Sequence, residues 1–147
     1  MTRRFTPRAS RTTRTVVAGV TWSFAGAMLV AWAVVWLAAA SPAEAVVSGL
    51  AGAAVALVAW RAGFSRIVRA NLARLARMSE RACVFGFQAP KSYLVMGAMI
   101  ALGITLRHSA LPRTWLAVVY AGIGGALFLA SIGYYRAARA LPLEVTR

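Results

Sequence analysis

The sequence predicts an all-α membrane protein, with four transmembrane helices in an up-down bundle and a basic amphipathic helix on the cytoplasmic side. Three observations carry that expectation. Apolar residues make up 61% of the 147 residues and charged ones only 14%, where a soluble domain carries ~25% charged residues. The apolar residues fall in four long blocks, the pattern of a chain solvated by lipid. The charges collect between the blocks, with fifteen basic residues on one side of a four-pass arrangement and two on the other, a strong positive-inside bias.

Residues 1–15 hold Arg3, Arg4, Arg8, Arg11 and Arg14 and no acid, which reads as a basic cytoplasmic tail. The first span is expected over 16–40, because Val16 to Ala40 is free of charge. At ~1.5 Å per residue such a helix crosses a ~30 Å hydrocarbon core with length to spare. The block is longer than the ~7–15 apolar residues of a signal peptide, so a retained helix is expected over a cleaved leader. Ser41-Pro42-Ala43-Glu44 is a turn in which Pro42 stops one helix and Glu44 suits the start of the next.

The second span is expected at 45–62, followed by the amphipathic helix at 62–83. There Phe64, Ile67, Val68, Leu72, Leu75 and Met78 share one face. Arg66, Arg69, Arg74, Arg77 and Arg81 fall on the other, and Asn71 intrudes on the apolar side. These five arginines are the candidate contacts for anionic lipid if the helix lies in the headgroup region. Two other placements stay open: an extension of the second span whose apolar face packs on the protein, and a contact with a soluble partner or nucleic acid. Nucleic acid is the least favoured, because the net charge of +14 is spread along the flanks of apolar blocks and forms no basic domain.

The third span is expected at 91–107 and the fourth at 114–135, with Arg107 to Arg113 as the outer loop and 136–147 as a second cytoplasmic tail. All the blocks together form one domain, 16–135. Each carries small residues at helical spacing, which let helix backbones approach in lipid: Gly19, Ser23, Ala27 and Ala31 in the first, Ser48, Gly52 and Ala56 in the second, and Gly97, Ala101 and Thr105 in the third. In the fourth, Gly122, Gly125 and Ala126 are the candidate helix-packing residues, and this face is expected to meet another chain.

Candidate functional polar groups are few. Lys91 lies deep in the membrane if the third span starts at Ala82, and at the interface if Pro90 starts it. His108 closes the same span and can titrate or ligate. Cys83, the only cysteine, belongs to the opposite side and reads as a small apolar residue. No nucleophile-and-base pair or metal set assembles from the sequence, so no catalytic residue, metal or cofactor is expected.

The segments Lys91-Ser92-Tyr93, Leu106-Arg107-His108-Ser109 and Leu111-Pro112, with Tyr120 and Tyr134-Tyr135, resemble a group of small uncharacterised bacterial four-helix membrane proteins. The resemblance covers roughly the C-terminal third, implies a bacterial origin and transfers no site. The expected function is therefore a non-enzymatic accessory or scaffold subunit of the bacterial inner membrane, multi-pass with both termini cytoplasmic. Its partners would be anionic lipid and either further copies of itself or a larger membrane complex. The alternative is a small homo-oligomeric channel or transporter.

Overall fold

The computed structural model describes residues 8–79, 82–87 and 90–141. The described chain is helical apart from one two-residue β pairing. Helix α1 spans Arg11–Ala38 and opens on an extended Ser10, whose Oγ accepts the Thr13 amide at 3.1 Å. That bond satisfies one of the orphan amides of the first turn. The helix thus begins ahead of the uncharged block, and Arg11 and Arg14 belong to it and not to a tail.

Pro42 opens α2, Pro42–Ala59, where its missing amide proton costs nothing. Ser41 and Glu44 form a capping box: Ser41 Oγ accepts the Glu44 amide, and the Glu44 carboxylate accepts the Ser41 amide at 3.2 Å and its hydroxyl at 2.8 Å. The bond from the Ser41 hydroxyl, followed by that from its backbone, holds the Glu44 carboxyl below its ordinary pKa.

The amphipathic segment departs from the expectation of a helix lying on the membrane and running to residue 83. α2 passes through a π-turn at Trp60–Phe64 into α3, Ser65–Arg77, and the whole forms one helix of 36 residues. No proline lies between Pro42 and Pro90 to break it. Its apolar face has protein to bury against, so it needs no headgroup region: Val68 and Leu75 are buried, and Val68 packs with Trp22, Ala130 and Tyr134. Met78 takes an extended conformation and ends the helix there.

Ala82–Cys83 (β2) then pairs antiparallel with Arg8–Ala9 (β1), ahead of a 3₁₀ turn at Val84–Phe87. Helix α4 runs Pro90–Arg107 and α5 runs Arg113–Ala140. Helix α5 therefore continues through Arg136 into residues expected to be frayed.

α5 is the central helix. It crosses α1 antiparallel, with Gly26 against Gly124: a Cβ on Gly26 would stand 2.6 Å from the Gly124 carbonyl oxygen, and one on Gly124 would stand 2.8 Å from that of Gly26. Only backbone fits on both sides of this crossing. Two apolar clusters flank it. Ala18, Trp22, Val68, Ala130 and Tyr134 lie toward the chain ends, and Ala33, Trp36, Leu116, Ala117 and Tyr120 lie toward the opposite end.

On its other side α5 meets α2. A Cβ on Gly122 would stand 2.5 Å from Val55 Cγ1, one on Gly125 2.9 Å from Ala56, and one on Gly52 2.7 Å from Ala121. The expectation that the Gly122/Gly125 face meets another chain therefore gives way, because α2 fills that face and α1 fills the next one. Ala126 is fully buried between them.

Three helices, Arg11–Ala38, Pro42–Arg77 and Arg113–Ala140, are long and apolar enough to cross a membrane. α4 is shorter, with its apolar part at Met96–Arg107, and stands off from the others. Its Gly97 has nothing within 4 Å of a built Cβ, and Leu94, Ile100, Leu102 and Ile104 are exposed. The Gly97, Ala101, Thr105 stripe thus packs against no neighbour among the described residues.

A candidate functional site in the crevice beside α4

At the end of the molecule nearer the termini, the polar groups are engaged in holding the fold. Arg14 is fully buried and donates to the Ser79 carbonyl at 2.8 Å, fastening the start of α1 to the exit of α3. Arg74, one of the five candidate lipid contacts, donates from both terminal nitrogens to the Gly86 carbonyl at 3.2 and 2.9 Å. Its role is to tie α3 to the 3₁₀ turn. Arg66, Arg69 and Arg77 are exposed, and Arg69 also bonds back to Ser65 of its own helix. Arg81 lies outside the described residues. Asn71, the polar residue on the apolar face, donates to the Tyr134 hydroxyl at 3.0 Å, so the intrusion has a buried partner on α5.

Lys91 falls in the first turn of α4, one residue after Pro90, and its side chain lies outside the described parts. The span that would have buried it, starting at Ala82, does not form, because residues 82–87 are a β pairing and a 3₁₀ turn. His108 is exposed at the far end of α4, where its amide closes the last turn onto Ile104 and Thr105. Cys83 is half-buried near the start of α4, so Cys83 and His108 stand at opposite ends. Among the described residues no group of three His, Cys, Asp or Glu side chains could hold a metal.

The arrangement that the sequence left illegible is a crevice of about 430 Å³ between α1, α4 and α5, closed at one end by Phe64 and Ile67 of the π-turn and α3. Its walls are apolar: Met28 and Leu29 from α1, Met99 and Leu106 from α4, Ile123 and Leu127 from α5. α4 is held across it by the Tyr120 hydroxyl, which donates to the Gly103 carbonyl at 2.9 Å. At the opposite end the Arg107 guanidinium lies 5.2 Å from the Trp32 ring centroid and 6.0 Å from that of Tyr120, within cation–π range. Its Nε is buried and has no hydrogen-bond partner among the described residues.

No known protein family matches the chain, and neither a curated protein nor a solved structure is significantly similar to it. The site is therefore read from its own geometry. The crevice is an apolar slot with one cation at its mouth, and it holds no acid–base or nucleophilic pair.

Arg107 looked like a loop charge because it simply ends the third apolar block. Its partners Trp32 and Tyr120 belong to other helices, and no local spacing points to them. A separate polar seam joins α1 to α5, where Ser23 Oγ donates to Ser131 Oγ at 2.8 Å and lies 3.0 Å from the Tyr135 hydroxyl. Of its members Ser23 stood out in the sequence as part of a small-residue stripe and Tyr135 as part of the Tyr134-Tyr135 pair, with nothing to join them.

Proposed function

We propose that the protein is a four-pass subunit of the bacterial inner membrane with both termini cytoplasmic. In this reading it works as a non-enzymatic accessory or scaffold that engages lipid or a larger membrane complex. The observation that carries this reading is the stand-off of α4. An apolar helix fastened by the Tyr120 and Tyr93 hydroxyls and one stacked arginine leaves two open apolar surfaces, the crevice behind it and the exposed face in front, and both call for contact with something outside the described chain. The fifteen-to-two distribution of basic residues supports the orientation. The apolar crevice wall favours this reading over a channel, since a hydrated ion needs polar lining.

Reporter fusions test the arrangement. Fusions after Thr15, near Arg74 and after Arg147 are expected on the cytoplasmic side, and those at Pro42 and Ser109 outside. An external reporter near Arg74 overturns the orientation. Solute flux through proteoliposomes of the purified protein would transfer the proposal to the channel or transporter reading.

A further inference from the structure

We infer that the crevice beside α4 is a binding site for one phospholipid with an anionic headgroup, its acyl chain lying in the slot and its phosphate on Arg107. The inference rests on the reading of α4 as a membrane span and adds an occupant to it.

Three observations converge. The first is shape. From Met96 to Arg107 the α4 wall is ~16 Å long by helical rise, and the crevice of about 430 Å³ runs beside it. A flexible hydrocarbon chain fits an elongated apolar crevice of this size.

The second is charge. Arg107 closes the slot with a guanidinium laid over Trp32 and Tyr120. Aromatic faces attract the cation but offer no lone pair to its N–H groups. Nε is buried, while the Arg107 side chain as a whole is only half-buried at the mouth. Planar paired donors match phosphate oxygens. Glu44, the one acid among the described residues, is already tied to Ser41.

The third is depth. α4 has 18 residues, ~27 Å of helix against a hydrocarbon core of ~30 Å. Arg107, at its last residue, therefore reaches the headgroup level when the helix spans.

The test uses the full-length protein in mild detergent, mixed with phosphatidylglycerol or with diacylglycerol carrying the same acyl chains and no phosphate, and retained lipid is read by native mass spectrometry. One phosphatidylglycerol is expected per chain, held about tenfold more strongly than diacylglycerol, the worth of one charge-assisted contact. Arg107→Gln is expected to abolish the preference and Arg107→Lys to restore part of it. Arg136→Gln, an exposed arginine on the last turns of α5, should leave it intact. Ala25→Phe, which fills the slot, should expel both lipids.

Equal retention of the two lipids overturns the inference, as does an Arg107→Gln protein that binds like the parent, or an Arg136→Gln protein that loses as much. So does Met99→Cys joining two copies in the membrane by a disulfide, which would place a second chain at the mouth. If Ala25→Phe does not fold, the Arg107 series decides alone. A chain whose reporters give the expected orientation but which retains no lipid sinks this inference and leaves the functional proposal standing.

Discussion

Single polar side chains do most of the fastening between segments distant in sequence. Asn71 and Tyr134 make the clearest case, because each is a polar intrusion on an otherwise apolar face and the two are joined by a hydrogen bond. Tyr134→Phe should remove the bond that joins Asn71 to α5 and cost ~0.5–1.5 kcal/mol, read as a lower thermal midpoint in detergent. Replacing both, as Asn71→Leu with Tyr134→Phe, should recover most of the loss, and a double variant as unstable as the sum of the singles would show that the pair is not coupled. Asn71 could be picked out from the sequence as an anomaly, but its partner could not, since no local pattern joins α3 to α5. The same limit hid the site. Arg107 sits in the sequence where any loop arginine sits, and only the crossing of three helices turns it into the cap of a crevice.

The helices themselves were more legible, since each apolar block became one and Ser41 with Glu44 and Pro42 set the start of α2 as their side chains dictate, whereas the Ser10 cap that carries α1 back to Arg11 was read as tail. What periodicity could not decide was where an amphipathic face is buried. Val68, Leu72 and Leu75 make the same stripe whether lipid or protein covers it, and here a π-turn aims the stripe at α1 and α5. Deleting Ala62 from that turn should rotate α3 by ~100°, expose the stripe and lower the stability of the protein while α2 remains helical by circular dichroism. The small-residue stripes divide in the same way. Gly122→Leu and Gly26→Leu should each destabilise by roughly 1–3 kcal/mol or more through overpacking, because backbone and Val55 already occupy the space. Gly97→Leu, with nothing within 4 Å of its Cβ position, should leave the midpoint unchanged. An unaltered midpoint in Gly122→Leu would mean that α2 and α5 are not in contact.

At the scale of the whole molecule, charge and packing act on different problems. The exposed arginines Arg66, Arg69 and Arg77 make few contacts that hold the fold, so converting all three to Gln should leave the thermal midpoint nearly unchanged. The same change should weaken the orienting bias, and reporters at Ser109 should then divide between the two sides of the membrane. The packing has a different consequence, which concerns time. The first helix to be made rests mainly on the last one, through the Gly26–Gly124 crossing, and α2 rests on that same last helix through Gly52, Val55 and Ala56. In the proposed membrane arrangement, at ~5–20 residues per second of synthesis, α1 waits about 5–20 s in the bilayer before α5 exists to receive it. During that interval the exposed backbone at Gly26 is open to any other helix able to approach closely. A chain stopped after residue 112 should accordingly persist as loosely associated, protease-sensitive helices, and supplying α5 as a separate peptide should rescue it.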